Sequence, residues 1–371
     1  MSTLPVVIIG AGLAGLHAAQ RLTAAEVPFV VLEARERTGG RILSVNDDGG
    51  GADDGFDLGP SWFWPRTQPA IGEVVDSLRL SSFPQFSTGD VLFERMSREG
   101  PQRYRSGDQE PLSFRISGGT AVLVRALMEQ LPADRVHLGV RVSAMVLTEH
   151  GVSLTLVDGV GAARTMLASH VIAALPPRLL EHTVSFSPAV DDALASRWRA
   201  TPTWMAPHAK FFALYDRAFW REAGLSGTAQ SMVGPLPEIH DATTASGKAA
   251  LFGFVGVSAD QRRQLGQDAL AHACVDQLVR LFGPEAQYPR ATLVKDWAAD
   301  PLTATPLDRV PGGHPVVTNE PWVTGAWSTR LTLGGSEVSA TEPGYLAGAV
   351  VAGAAAAARV IAGRDDAPSH P

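Results

Sequence analysis

The 371-residue sequence predicts an α/β protein with a parallel βαβ core and a second, α+β domain. The first sign is a β-branched run at residues 6–9, followed by Gly10-Ala11-Gly12-Leu13-Ala14-Gly15 and a helical pattern to about Ala25. The second is another apolar run, residues 28–32, that ends at Glu33; strand, glycine turn, helix and strand in this order make a βαβ unit. The third is length, which exceeds one small core and makes two domains sharing an interface the default.

The glycines have separate tasks. Gly10 permits the tight turn, Gly12 lets a pyrophosphate approach the backbone, and Gly15 lets helix and strand pack closely. Free N–H groups and the helix dipole then favour an anion there. Glu33, at the end of the next strand, stands where a carboxylate accepts hydrogen bonds from ribose hydroxyls. The pattern is a Rossmann-like dinucleotide fingerprint, and by itself it leaves FAD and NAD open.

Composition narrows the classes further. Hydrophobic residues make up 45% and charged residues 19%, the mixture of a folded protein. The formal net charge of −7 comes without a clustered basic face, which argues against a nucleic-acid partner. Cys274 is the single cysteine and no CxxC or HExxH spacing is present, so neither a disulfide nor a structural metal is expected. Its neighbours Ala271, Leu278 and Leu281 suggest a buried thiol. The N-terminal residues lack the basic region of a signal peptide. The uncharged stretch 343–358 is shorter than the roughly 20 residues of a bilayer span, and reads as a small-residue packing helix. A cytoplasmic protein with no membrane anchor is the expectation.

Along the chain, residues 47–55 read as a solvated hairpin, and 83–114 as polar and irregular because of Pro84, Gly89, Gly100, Pro101, Gly107 and Pro111. Residues 122–131 form an amphipathic helix, 136–148 and 152–157 extended runs, and 171–175 a buried strand halted by Pro176-Pro177. Residues 210–215 and 249–255 read as strands, and 260–282 as one or two helices.

The residues after the fingerprint decide the cofactor class. The run Glu33-Ala34-Arg35-Glu36-Arg37-Thr38-Gly39-Gly40-Arg41 resembles the extended motif of the flavin-dependent amine oxidase family, which includes monoamine and polyamine oxidases. Gly39 and Gly40 let the backbone turn beneath a cofactor, and Arg41 can set a cation against its pyrophosphate. Asp57-Leu58-Gly59-Pro60-Ser61-Trp62 looks like the family's segment under the flavin ring. Gly118-Gly119 and residues 171–177 resemble later landmarks, and Val142 falls where the family holds adenine through backbone groups. Residues 209–221 match a strand whose lysine, here Lys210, holds a water against flavin N5. Gly334-Gly335-Ser336-Glu337 and Gly344-Tyr345-Leu346 match the C-terminal signature, in which a helix N-terminus faces the flavin and an aromatic residue, here Tyr345, walls the substrate cage. Lys210 is one of three lysines, with Lys248 and Lys295, and apolar Phe211, Phe212 and Leu214 surround it in sequence. The resemblance implies FAD held by Gly10, Gly12, Ala14, Gly15, Glu33, Ala34, Arg35, Gly40, Arg41, Gly59, Pro60, Ser61, Trp62, Val142, Ser336, Glu337, Gly344, Tyr345 and Leu346, with Lys210 and Tyr345 as catalytic residues.

Departures from the family shape the rest. Thr305 and Pro306 stand where monoamine oxidases carry the flavin-bonding cysteine and the second cage tyrosine, so FAD should be noncovalent and the cage incomplete. Trp62, Trp64, Trp297 or Pro306 would then border the substrate, with Trp327 a further candidate face. Arg66 is off register for a substrate carboxylate, which favours an amine without one. The short stretch between Trp64 and Gly118 implies a monoamine-oxidase-like architecture with a shortened helical lid, its cavity more open or closed by a partner subunit such as a second copy.

The expected domains are a discontinuous FAD domain (1–80, 116–200, 297–363), a substrate domain (81–115, 201–296) and a polar tail (364–371). The expected reaction is oxidation of an amine C–N bond by hydride transfer to N5, imine hydrolysis, and reoxidation by O2 giving H2O2. Rival readings are a desaturase or protoporphyrinogen-oxidase-like flavoprotein acting on C–C bonds, a non-catalytic flavoprotein subunit, and an NAD-dependent dehydrogenase.

Overall fold

The computed structural model describes residues 4–96, 98–105, 107, 112–310 and 312–365. Of the polar tail, residues 366–371 lie outside the described residues.

A five-stranded parallel sheet holds the nucleotide fingerprint. Its order is Leu331–Leu333, His170–Ala173, Val6–Ile9, Phe29–Leu32 and Val136–His137. Val6–Ile9 and Phe29–Leu32 are buried at every position, as the unbroken apolar runs require of strands covered on both faces. Helix Leu13–Ala24 packs on one face through Leu13, Leu16 and Leu22.

The C-terminal helix Leu346–Asp365 lies against that first helix. A Cβ on Gly353 would fall 2.3 Å from the Ala14 carbonyl oxygen, so only a bare backbone allows the approach. Among the described helices this is the one long and apolar enough to cross a bilayer, and Ala347, Ala356 and Ala357 put its small-residue face into the core.

An antiparallel layer over the other face contains Ala163–Ala168, Gly151–Val157 and Arg141–Thr148, with Ser185–Ser187 added in parallel. The extended run 136–148 divides at Gly139 (φ +67°), sending its two halves into different sheets.

A seven-stranded sheet forms the second layer system, in the order Ala291–Asp296, Ala209–Tyr215, Ala249–Phe254, Glu238–Asp241, Leu225–Ser231, Asp90–Glu94 and Gln102–Arg105. The segment 83–114 is thus not irregular throughout: Asp90–Glu94 and Gln102–Arg105 are paired strands, and Phe114–Ile116 pairs with Ser82–Pro84. Gln102–Arg105 is exposed at every position and sits at a sheet edge, so it lacks the apolar alternation that marks a strand in sequence.

Alternation along Ala209–Tyr215 has a direct consequence. Phe211, Ala213 and Tyr215 join the core beneath helix Gln267–Phe282, while Phe212 and Leu214 face Phe56 and Leu58. Lys210 shares the parity of Phe212, and period two turns it towards the nucleotide-binding half.

Candidate active site

One cavity of about 660 Å³ runs between the two large sheets. It is lined by Gly10, Gly12 and Ala14 of the glycine turn, with Glu33, Arg35, Gly40 and Arg41. Gly59, Pro60, Ser61, Trp62, Trp64, Lys210, Ser336, Gly344, Tyr345 and Leu346 line it as well. Residues distant in sequence therefore share one enclosure.

The turn is built as its sterics demand. Gly10 has φ +101°, and a Cβ on Gly15 would lie 2.0 Å from the Gly10 carbonyl oxygen. A Cβ on Gly12 would meet nothing closer than the Gly39 carbonyl oxygen at 3.9 Å, so the turn backbone is open towards the cavity. Glu33 is buried; its Oε2 accepts from the Ala11 N–H at 2.8 Å and its Oε1 from the Arg35 N–H at 2.9 Å. Each carboxylate oxygen retains a second lone pair for a guest hydroxyl.

Arg41 lines the cavity within a hydrogen-bond network. Its guanidinium donates to Glu337 Oε1 at 2.5 Å and Oε2 at 3.1 Å, to Ser336 Oγ at 3.0 Å and to the Trp204 carbonyl at 2.8 Å. Glu337 does not line the cavity; it pairs with Arg41, so the guanidinium that lines the wall stands in an ion pair. Arg35 is likewise paired, with Asp300 at 2.9 Å and with Thr303.

Lys210 is 1% exposed. Its Nζ donates to the carbonyl oxygens of Gly59 at 2.6 Å and Asp57 at 3.3 Å and to Ser61 Oγ at 2.9 Å, and it lies 4.6 Å from the Phe252 ring centroid. Burial lowers its pKa to about 7; the Asp57 carboxylate opposes this and Arg115 adds to it. Burial also raises the Asp57 pKa, although Oδ1 accepts from Ser44, the Thr120 N–H and Thr120 Oγ1, while Oδ2 is buried without a partner. Both groups move towards their neutral forms, because desolvation outweighs their attraction.

Sheet register extends this row. Lys210 is directly opposite Phe254, and Phe254 is directly opposite Glu238, so all three side chains share a face, and all three line the cavity. His240 donates to Glu238 at 2.6 Å, and this bond holds the carboxyl below its usual pKa.

Comparison with known proteins places this geometry. The family model described as flavin containing amine oxidoreductase matches residues 13–114 and 93–361. The chain belongs to that family. Putrescine oxidase of Kocuria rosea is 23% identical over 89% of this chain and 85% of its own length. Cyclohexylamine oxidase from Brevibacterium oxydans has the same fold, with a TM-score of 0.81 at 20% identity over 98% of this chain and 100% of that one. A structure of putrescine oxidase bound to putrescine superposes with a TM-score of 0.78 at 22% identity over 97% of this chain and 99% of that one.

As a flavin-containing amine oxidoreductase, the chain offers a cavity that fits its cofactor class. The open Gly12 backbone and the N-terminus of helix Leu13–Ala24 suit an anionic link, Glu33 suits a sugar, and Pro60, Trp62, Phe254 and Leu346 suit a flat apolar ring.

Some expected residues lie elsewhere in this oxidoreductase. Gly15 is spent on packing, and Ala34 is half-buried between Glu33 and Arg35 without lining the cavity. Val142 pairs with Leu156 in its sheet and does not line the cavity; the preceding residues His137 and Val140 are the ones bonded to Glu33. Trp297 is fully buried and donates to the Leu58 carbonyl at 3.0 Å, a tie between segments that leaves no face for a substrate. Pro306 is exposed at the start of a short helical turn, outside the cavity, where Thr305 caps with Asp308. Trp327 donates to the Pro188 carbonyl in a different core.

Three further rings stand at the cavity wall, one of them His208, two residues before Lys210 in sequence. Trp204, His208 and His314 line the cavity beside Tyr345. The His314 ring stacks on Tyr345 at 4.2 Å and 6°, and on Trp204 at 3.5 Å and 24°. His208 Nε2 is buried without a partner, and burial lowers the pKa of both imidazoles. Trp204 lies six residues before Lys210, the other clue in the sequence; nothing local marks His314.

Proposed function

We propose that this flavoenzyme binds FAD noncovalently and oxidises the C–N bond of a small amine lacking an α-carboxylate. One observation carries the reading: the cavity that starts at Gly10, Gly12 and Glu33 also contains Lys210 and Tyr345. Bound FAD, which Gly10, Gly12 and Glu33 would help to hold, would supply the acceptor for a hydride from the amine's α-carbon; water would hydrolyse the imine and O2 would take up the electrons as H2O2.

The chain's own residues prepare that exchange. Helix Leu13–Ala24 and the helix beginning at Leu346 start at the cavity wall, where their N-terminal dipoles would favour the negative charge of a bound cofactor. Trp62, Phe254 and Tyr345 make the reacting end apolar. A free alkylamine has a pKa of about 10, and desolvation by the apolar walls around Trp62, Phe254 and Tyr345 favours its neutral, reactive form without a dedicated base. Lys210 Nζ, fixed by Gly59 and Ser61, is the group proposed to hold a water at the reacting edge, the water taking the place of its long 3.3 Å bond to the Asp57 carbonyl.

Noncovalent attachment is supported by Thr305, which has no thiol, and by Cys274, buried in a helix outside the cavity. The segregation of strands between the five- and seven-stranded sheets supports the division into an FAD domain (1–80, 116–200, 297–363) and a substrate domain (81–115, 201–296).

The test is an absorption spectrum of purified protein mixed anaerobically with a panel of amines. Bleaching of the flavin band, its return on admitting O2 and the appearance of peroxide are the expected outcome. A yellow protein that no amine bleaches would overturn amine oxidation and leave the C–C oxidising or non-catalytic readings. Wild-type reoxidation in Lys210→Met would remove the role given to Lys210.

A further inference from the structure

Trp204, His314 and Tyr345 form a three-layer stack, and the middle ring is held differently from the outer two. The Trp204 carbonyl accepts from Arg41 at 2.8 Å. Tyr345 enters the C-terminal helix, its N–H donating to the Glu342 carbonyl and its own carbonyl accepting from the Ala349 N–H at 3.0 Å. Trp64 meets Tyr345 edge-on at 6.3 Å, and His208 meets Trp204 edge-on at 5.1 Å, closing the sides.

His314, by contrast, comes after Gly312 and Gly313 on a stretch with no helix or strand. A Cβ added to Gly313 would meet nothing within 4 Å, and Val316 just beyond is 83% exposed. Beyond stacking, the imidazole's one polar contact among the described residues is Nδ1 to the Pro343 carbonyl at 3.3 Å. Space for it is built in: Gly344 has φ +87°, and a Cβ there would fall 2.9 Å from Trp204 Cβ and 3.2 Å from His314 Nδ1.

Two aromatic walls anchored by backbone hydrogen bonds thus enclose a ring carried on a stretch without helix or strand, packed through Pro315 and Gly312, and the occupant itself defines the chemistry of the space. We propose that the slot between Trp204 and Tyr345 binds the planar aromatic or heteroaromatic ring of an amine ligand, and that His314 is its built-in occupant, displaced by that ligand. The assignment of an amine rests on the amine-oxidation reading; the ring specificity does not. A flat guest regains both π-faces that His314 gives up, and a ring N–H or an ammonium can meet the Pro343 carbonyl. A straight alkyl chain regains neither.

An internal competitor lowers the apparent affinity of every slot ligand by the same factor and leaves other ligands untouched. The test titrates the purified flavoprotein with imidazole and, separately, n-butylamine, reading tryptophan fluorescence and heat of binding for wild type, His314→Ala and His314→Phe. Imidazole should bind His314→Ala at least tenfold more tightly than wild type, with n-butylamine changed less than twofold. His314→Phe, its slot refilled, should show no gain.

Equal imidazole affinity in wild type and His314→Ala would overturn the proposal, as would an equal gain for n-butylamine. His314→Ser makes the same comparison if His314→Ala does not fold. Neither reading needs turnover, so a protein that oxidises no amine still reports on the slot, and an active amine oxidase with no imidazole effect refutes the slot alone.

Discussion

Lys210 Nζ donates a 2.6 Å hydrogen bond to the Gly59 carbonyl oxygen, joining residues 151 positions apart. Gly59 itself tolerates no side chain, since its Cβ would lie 1.9 Å from the Arg41 carbonyl oxygen. One buried ammonium therefore ties the strand of the seven-stranded sheet to the loop that lines the nucleotide-binding side.

That ammonium makes stability depend on pH. The folded pKa of about 7 lies below the ordinary lysine value of 10.5, so between these values the unfolded chain binds more protons than the folded one. Unfolding free energy should rise through this window, by up to about 1.4 kcal/mol per pH unit. Thermal unfolding of wild type and Lys210→Met from pH 6.5 to 9.5 checks it: the rise belongs to wild type alone, and parallel curves would show that Lys210 does not titrate there.

Gly15→Val should cost more than packing. With a Cβ 2.0 Å from the Gly10 carbonyl, the turn must open, destabilising the fold by roughly 1–3 kcal/mol or more. Purified Gly15→Val should be colourless or weakly yellow at a lowered melting temperature, and full flavin content would contradict the steric account.

Arg41 and Glu337 should behave as a pair. The Glu337 side chain is fully buried, so Arg41→Met strands a carboxylate at a cost of about 3–5 kcal/mol, whereas removing both charges with Arg41→Met/Glu337→Met recovers most of it. Denaturant melts of the singles and the double measure the difference; additive losses would show that the two act independently.

Gln85 positions Trp62. Its Oε1 accepts from the indole N–H at 2.8 Å, and its amide donates to the Asp241 carbonyl at 2.8 Å. Gln85→Leu should raise the amine KM about tenfold, corresponding to about 1.4 kcal/mol, with kcat within twofold and the flavin spectrum unchanged. Trp62→Phe should show a similar loss, and the double variant little more than either single.

Cys274 should be inert in the native state. Burial pushes its thiol up to about 12, so a thiol reagent at pH 8 should label it only on unfolding. Acid precipitation should release the flavin from wild type and Cys274→Ala alike, and flavin retained in the pellet would refute noncovalent attachment.

Amino-acid order alone determined the nucleotide-binding half and put Lys210 and Phe212 on a common strand face, while the fold chose which way that face turns. Gly10, Gly12 and Gly15 answer to backbone sterics within a few residues, and the period-two pattern of residues 209–215 sends Lys210 and Phe212 to one face. Tertiary structure decided what Arg41, Trp297 and His314 do. Glu337 neutralises Arg41 from 296 positions away, Leu58 claims the Trp297 N–H across 239, and His314 enters the stack only because distant Trp204 and Tyr345 stand on either side of it. The strands within 83–114 were hidden because Asp90–Glu94 finds its second partner, Leu225–Ser231, far along the chain, and the exposed edge strand Gln102–Arg105 carries no apolar rhythm. Dihedral limits and periodicity act between neighbours and can be read from order alone. A partner for a charge, an indole N–H or a ring face is set by packing, which exists only once the chain has folded.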